Sequence, residues 1–140
     1  MPAYAKRRRK LRQWLERNEV DAFVVSSPAN VRYLSGFTGE GLLVIGDWAG
    51  LSTDRRYELE ALKLSGRWRL CLHRDGHLAG VIELLKQCGG KRIAFEAEAI
   101  TYAGYERLSE AGDGWVLRPT RKVVEQWRRV KDPSELEAIR

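Results

Sequence analysis

The stretch VDAFVVSSPANVRYLSG, residues 20–36, decides the fold class of this chain. Its opening run is short, apolar and rich in β-branched residues, which is typical of a strand buried on both faces. Ser27 then places a capping hydroxyl before Pro28, a proline at the first helical position, and Gly36 supplies a left-handed stop. We therefore predict a buried strand followed by a short helix over residues 28–35.

The sequence on both sides of this unit continues the same alternation. Upstream, Leu11, Trp14 and Leu15 recur at helical spacing and predict an amphipathic first helix. Downstream, the apolar runs 42–45 and 51–53 are separated by five residues, which favours an antiparallel hairpin.

Beyond residue 54 the pattern predicts helices and strands in turn. The strands are expected at 69–73, 93–96 and 115–117. Apolar residues at helical spacing predict one helix around 57–64, a second around 78–85 and a third at about 102–111. Alternation of this kind predicts a largely parallel sheet covered by helices. The expected fold class is α/β, with a mixed, mostly parallel sheet of about six strands flanked by helices.

Length and composition favour a single domain with a substantial core, since the chain has 140 residues and is 44% hydrophobic. The longest apolar runs are far shorter than the roughly 20 residues that a membrane span needs. The basic residues 6–10 lead into no apolar signal segment, so a cytoplasmic location is expected. Cys71 and Cys88 are too few for a disulfide scaffold.

The net charge of +6 suggests a nucleic-acid-binding module as an alternative function. However, 19 acidic residues are mixed with the basic ones, and only residues 6–12 form a dense basic cluster. Glu96 and Glu98 are two carboxylates without a third, which is weak support for a nuclease centre. Nucleic acid is therefore an unlikely partner on the sequence alone.

Four side chains have metal-binding chemistry: Cys71, His73, His77 and Cys88. The turn signal Asp75-Gly76 separates the two histidines and removes the single helical face that would bring them together. We therefore predict no metal site in this chain. The loop 36–41 lacks the glycine spacing of a phosphate-binding loop and leads into a strand, which disfavours nucleotide binding.

The end of the sequence resembles the start of another helix. Asp132 is a capping residue, Pro133 occupies the first turn and Glu135 completes a capping box. We predict a domain over residues 1–131 and the start of a linker helix over residues 132–140, which would lead into a further domain outside this sequence.

Four stretches, taken in order, resemble the amino-terminal domain of the creatinase, prolidase and aminopeptidase P family: NVRYLSGF at 30–37, TDRRY at 53–57, IAFE at 93–96 and RRVKDPSEL at 128–136. The first is similar to the family signature Asn-x-x-Tyr-Leu-Thr/Ser-Gly-Phe. The second is similar to its Thr-Asp-x-Arg-Tyr strand end, and the last to its Arg-x-x-Lys-x-x-x-Glu linker. Each motif is weak alone, but their joint order and spacing are specific.

The resemblance implies a ribonuclease H-like sheet, followed in the parent protein by a catalytic domain that binds two divalent metal ions through two Asp, one His and two Glu. The parent would be a hydrolase of proline-containing peptides, an Xaa-Pro dipeptidase or aminopeptidase. This chain would contain no catalytic residue and no cofactor. It would pack against its own catalytic domain, form a homodimer and complete the substrate pocket of a neighbouring subunit. The interaction domain of a catalytically inactive paralogue is a further alternative.

Two residues are candidates for contact with substrate in that neighbouring pocket. Arg56 carries a planar, permanently charged guanidinium that can hold a dipeptide carboxylate through two hydrogen bonds. Pairing of Arg56 with Asp54 or Glu60 is the alternative. Phe37, at the rim of the loop 36–41, is a candidate apolar wall over a proline ring, and ordinary core packing is its alternative.

The remaining motif residues are expected to be structural. The Asn30 amide would tie its helix to a strand end, with the phenol of Tyr33 packing beneath it. Gly36 would end that helix, Asp54 would cap the following one, and Tyr57 would mark the apolar face of that second helix.

Overall fold

The computed structural model describes residues 3–129 as an α/β domain. Its helices are α1 (Ala3–Arg17), α2 (Pro28–Ser35), α3 (Glu58–Leu62), α4 (His77–Cys88), α5 (Tyr102–Ala111) and α6 (Val123–Arg128). Its strands are β1 (Ala22–Val25), β2 (Leu42–Ile45), β3 (Ala49–Thr53), β4 (Trp68–Leu72), β5 (Arg92–Glu96) and β6 (Val116–Thr120). A 3₁₀ turn, Arg55–Tyr57, precedes α3. The linker helix predicted for residues 132–140 lies outside the described residues.

The strands form one six-stranded sheet in the order β4-β3-β2-β1-β5-β6. Strand β2 is antiparallel to both of its neighbours, β1 and β3, whereas the other three pairings are parallel. Every strand except β2 therefore points in the same direction. This topology confirms both the mixed, mostly parallel sheet and the antiparallel hairpin predicted from the sequence.

Strand β1 lies at the centre of the core, because all four of its residues are buried. Phe23 and Val25 face one layer, packed with α1 and α2, and Ala22 and Val24 face the other, packed with α4. Burial on both faces explains why the strand is apolar without alternation. Within residues 3–129, no helix combines the length and apolar character needed to cross a membrane.

Three details differ from the sequence-based boundaries. Strand β3 begins at Ala49, so the hairpin loop is shorter than expected. Gly50 fits there because a Cβ at this position would lie 3.0 Å from Leu84 of α4 and 2.8 Å from Trp48. Strand β6 extends through Pro119, which an edge strand tolerates. Helix α6 was not predicted, because it has only 6 residues and begins after Lys122 without a side-chain cap.

The stop signal at Gly36 acts as predicted. Its φ of 78° is left-handed, and its N–H donates to Arg32 O at 2.8 Å. A Cβ there would also lie 2.8 Å from the Tyr4 ring of α1, so glycine is needed for conformation and for space. Ser27 occupies the capping position, but its hydroxyl makes no capping hydrogen bond.

Candidate functional site

The motif residues gather at one edge of the sheet. Because every strand except β2 runs in the same direction, the carboxyl ends of β1, β3, β4, β5 and β6 meet at this edge. Asp54 follows β3, His73 follows β4 and Glu96 ends β5. Ligands of open α/β sheets bind outside the carboxyl ends of the strands, so this edge is the candidate functional surface.

The carboxylate of Asp54 is contacted by two side chains, those of Arg56 and His77. We call these three residues the Asp54 cluster. Asp54 Oδ1 accepts hydrogen bonds from the Arg56 backbone N at 3.0 Å and from Arg56 Nε at 2.9 Å, and Oδ2 accepts from Arg56 Nη2 at 2.9 Å. His77 Nε2 lies 3.0 Å from Oδ2 and must be the donor, since a carboxylate only accepts. These bonds, first from Arg56 and then from His77, hold the pKa of Asp54 well below its usual range.

Arg56 keeps unused donors at the cleft surface despite this pairing. Its side chain is 68% exposed, and its other acidic neighbour is Glu40, 3.8 Å from Nη2. Hydrogen bonds from Nε and Nη2 orient the guanidinium, while Nη1 makes no hydrogen bond within residues 3–129. The alternative pairing with Asp54 is thus present, and it leaves one side of the guanidinium open. The same pairing raises the pKa of Arg56 above its ordinary value.

The Asp54 cluster borders a cleft of about 960 Å³ at the ends of β3 and β4. Arg55, Arg74, His73 and Glu83 also line this cleft. Three arginines, Arg55, Arg56 and Arg74, line the cleft together with three carboxylates, Asp54, Asp75 and Glu83. Within this balanced set, the guanidinium of Arg56 is the exposed and oriented group that can bind an anion such as a carboxylate.

The metal-capable side chains do not form a metal site in this part of the molecule. Cys71 Sγ donates to Glu83 Oε2 at 3.1 Å, and His73 Nε2 lies 3.5 Å from Glu83 Oε1. Burial first, and then the hydrogen bond with Glu83, raises the pKa of the Cys71 thiol to about 11. Among residues 3–129, no three His, Cys, Asp or Glu side chains converge as metal ligands.

Glu96 is the centre of a second group, which we call the Glu96 network: Glu96, Ser26, Ser27, Asn30 and Arg128. The carboxylate is 6% exposed and accepts from Ser26 N at 2.7 Å, from Ser27 N at 2.8 Å and from the Asn30 amide. Asn30 Oδ1 accepts in turn from Arg128 Nη1 at 3.1 Å. Burial raises the pKa of Glu96, although its hydrogen bonds act in the opposite direction.

Phe37 lies in the core and not at the rim of a pocket. Its side chain is 2% exposed, and its ring meets Tyr57 edge to face at 6.2 Å between centroids. Gly39 crosses these two rings so closely that a Cβ would lie 2.5 Å from Tyr57 and 2.8 Å from Phe37. This burial favours the core-packing alternative, so we assign Phe37 no substrate contact.

Half of the basic cluster that suggested nucleic-acid binding makes hydrogen bonds inside the fold. Arg7 Nη1 and Arg8 Nη1 each donate at 2.9 Å, to the carbonyls of Tyr33 and Leu34 at the end of α2. Arg12 Nε donates to Gly46 O at 2.8 Å. Arg7 and Arg8 thus satisfy carbonyls that a helix end leaves unpaired. The other basic residues of the cluster, Lys6, Arg9 and Lys10, are exposed.

Several contacts between the candidate residues could not be predicted from the sequence. The meeting of Asn30 with Arg128, 98 positions apart, and of Asp54 with His77 depends on the crossovers of the sheet. Tyr33 is also more connected than expected, since its hydroxyl donates to Trp127 O at 3.4 Å and its ring lies 4.3 Å from the Arg7 guanidinium. The only sequence signal for the Glu96 network was that Asn30, Glu96 and Arg128 each belong to one of the four motifs.

Comparison with known proteins places this geometry in a family. Residues 7–130 match the model of the creatinase/prolidase N-terminal domain. Among curated relatives, an uncharacterised peptidase, YqhT, of Bacillus subtilis (strain 168) is 32% identical over 132 residues, which are 93% of this chain and 37% of that protein. The chain thus spans just over a third of the length of that relative.

Solved structures show the same relation. An Xaa-Pro dipeptidase from Bacillus anthracis superposes with a TM-score of 0.86 at 27% identity, over 96% of this chain and 38% of that one. The N-terminal domain of the cytoplasmic peptidase PepQ from Mycobacterium tuberculosis H37Rv superposes with a TM-score of 0.78 at 29% identity, over 86% of this chain and 97% of that one. The chain therefore belongs to the creatinase/prolidase N-terminal domain family.

Proposed function

We propose that this chain is the non-catalytic amino-terminal domain of a proline-specific metallopeptidase, an Xaa-Pro dipeptidase or aminopeptidase. Membership of the family and the similarity to an Xaa-Pro dipeptidase over nearly the whole chain support the proposal. In this proposal the domain acts as a scaffold and as part of a pocket wall, and a separate domain of the same protein performs hydrolysis.

Arg56 is the residue through which the domain would touch substrate. The observation that carries this proposal is its geometry: Asp54 holds Nε and Nη2 of an exposed arginine that lines the cleft. A guanidinium oriented in this way has lost part of its conformational freedom before a ligand arrives, which favours binding. A dipeptide with proline at its second position carries a free carboxylate next to the scissile bond. Arg56 would bind that carboxylate while the catalytic domain acts on the amide.

The pocket would be completed in trans, by a homodimer that places this edge of one subunit near the catalytic domain of the other. The proposed metal ions would be bound by the catalytic domain. The side chains of residues 3–129 do not fit such a centre, because no three suitable ligands converge there. We therefore assign no catalytic step to this chain.

The proposal is tested with the full-length protein and a matched pair of variants, Arg56→Ala and Arg55→Ala. Arg55 is the adjacent arginine, with an 88% exposed side chain and a contact to Glu58 at 4.0 Å, so it controls for the loss of one positive charge at the cleft. We expect Arg56→Ala to raise KM for an Xaa-Pro dipeptide by about tenfold, the size of one charge-assisted hydrogen bond. Arg55→Ala should leave KM nearly unchanged.

A dipeptide amide separates recognition of the carboxylate from other effects of the substitution. Since the amide lacks the charge that Arg56 would bind, Arg56→Ala should change its KM much less than that of the acid. Equal effects on both substrates would contradict the Arg56 assignment. Absence of peptide hydrolysis by the metal-loaded full-length protein, together with a downstream sequence without two Asp, one His and two Glu, would instead favour the inactive paralogue.

A further inference from the structure

The Glu96 network lies apart from the cleft and has no part in the proposed function. It joins three elements that are distant in the sequence: Asn30 on α2, Glu96 at the end of β5 and Arg128 at the end of α6. Helix α6 is the last described element, so this network holds the point at which the described chain leaves the domain.

The chemistry of the three groups determines how the Asn30 amide is turned. A carboxylate can only accept hydrogen bonds and a guanidinium can only donate them. The NH₂ group of Asn30 must therefore face Glu96, and its oxygen must face Arg128, as the structure shows. Ser26 N and Ser27 N hold Glu96 Oε1, which leaves Oε2 for the Asn30 amide. Glu96 thus orients Asn30 for Arg128 without a hydrogen bond of its own to α6.

Helix α6 has other contacts with the domain on the same side. Tyr33, one turn after Asn30 on α2, donates from its hydroxyl to Trp127 O at 3.4 Å. Val123 and Val124 are buried in the core layer that contains α2. Apolar contacts attach the first turn of α6 through these two valines, and Trp127 in its last turn also packs against this core layer. Two polar contacts, to Trp127 and Arg128, add to the attachment of the last turn.

We infer that Asn30, oriented by Glu96, is a positioning residue that docks the end of α6 on α2. Three of the four sequence motifs, those that contain Asn30, Glu96 and Arg128, then contribute to the same contact between α2 and α6. A helix of 6 residues is too short to be stable alone, so its orientation depends on such contacts.

Amide hydrogen exchange of the 140-residue chain tests the inference, with Arg128→Gln compared to Arg129→Gln. Both residues are exposed and adjacent, and both changes remove one positive charge, but only Arg128 reaches Asn30. We expect Arg128→Gln to accelerate exchange of the amides in 124–129 by about three- to tenfold, the loss of one partly exposed hydrogen bond. Exchange in β1 should not change, which separates local undocking from global destabilisation.

Two further variants test the role of each partner. Arg128→Lys keeps a donor and should restore part of the protection. Glu96→Gln removes a pure acceptor, so the Asn30 amide can turn its oxygen toward the new NH₂ group and lose Arg128. This variant should accelerate exchange in α6 to a similar extent as Arg128→Gln.

Equal exchange of α6 in Arg128→Gln and Arg129→Gln would overturn the inference. If Glu96→Gln loosens the whole domain, the Arg128 and Arg129 pair still decides the question, because both substitutions lie at the surface.

Discussion

The Asp54 cluster and the Glu96 network use similar chemistry at the same edge of the sheet, but the pKa values of their carboxyl groups move in opposite directions. Each carboxylate accepts one or more backbone N–H groups together with side-chain donors. The pKa of Asp54 is lowered because side-chain hydrogen bonds, first from Arg56 and then from His77, reach its carboxylate directly, whereas that of Glu96 is raised because burial dominates. The one cation of the Glu96 network, Arg128, reaches Asn30 and not the carboxylate.

This difference supports the proposal that the Asp54 cluster is available to a ligand, whereas the Glu96 network serves the fold. In the Asp54 cluster the arginine is exposed and retains free donors, so it can exchange water for an anion at little cost. In the Glu96 network every oxygen contact is internal, and removal of the carboxylate would leave buried N–H groups unpaired. The contrast can be tested by stability, by pH and by surface substitution.

The largest expected effect is that of Glu96→Ala on stability. Ser26 N and Ser27 N would lose their acceptor, and we expect the free energy of unfolding to fall by about 3 kcal/mol, roughly one to two per orphaned group. Urea denaturation at pH 7 measures the change. Glu98→Ala is the control, since Glu98 makes only exposed contacts with Arg121 and Lys122. A loss below about 1 kcal/mol for Glu96→Ala would contradict the structural role.

The pH dependence of stability should differ in sign between the two sites. The folded pKa of Asp54 lies below its ordinary value of 3.8, so the contribution of Asp54 is present above that pH and is lost as pH falls toward the folded pKa. The folded pKa of Glu96 lies above its ordinary value of 4.5, so its carboxylate costs stability as pH rises from 4.5 through the folded pKa.

Unfolding curves of Asp54→Asn and Glu96→Gln at a series of pH values measure these two slopes. As pH falls below about 4, the free energy of unfolding of Asp54→Asn should decrease less than that of the unmodified chain. Glu96→Gln should lose less stability than the unmodified chain as pH rises above 4.5. For each variant, the quantity to compare is its free energy of unfolding minus that of the unmodified chain. If this difference changed with pH in the same direction for both variants, the distinction between the sites would be removed.

The smallest expected effect is that of Arg56→Ala on stability. An arginine whose side chain is 68% exposed contributes little to folding through an ion pair that water screens. We expect the thermal midpoint of the 140-residue chain to match that of Arg55→Ala. A clear decrease specific to Arg56→Ala would show that the pair with Asp54 supports the fold and would weaken its assignment to ligand binding.

Much of the fold was readable in the sequence because its signals are local. Apolar runs, the Pro28 start and the Gly36 stop predicted β1 and α2 closely, and helix α5 has the predicted bounds. Two predictions fell short near the end of the described chain. Strand β6 extends past Pro119, and helix α6 was missed because it is short and has no side-chain cap. Membership of the creatinase/prolidase family, first indicated by four short motifs, is confirmed by the match over residues 7–130.

The candidate site was harder to predict from the sequence, because the type of a residue does not show whether its side chain is exposed. Arg56 and Phe37 were both candidate contacts in the sequence, and burial distinguishes them: one side chain is 68% exposed and the other is 2% exposed. The dense basic stretch 6–12, which motivated only the alternative function, shows the same limit. Its Arg7, Arg8 and Arg12 donate to backbone carbonyls, which the sequence does not reveal.

By itself, the sequence determined the α/β class, the order of the central elements and the family, since hydrophobic period, caps and motif spacing act over a few residues. Only the tertiary structure decided which motif residues meet. Asn30, Glu96 and Arg128 come together because the parallel crossovers return β1 and β5 to adjacent positions and bring α6 back over α2. Such contacts depend on the path of the whole chain, which no local pattern encodes.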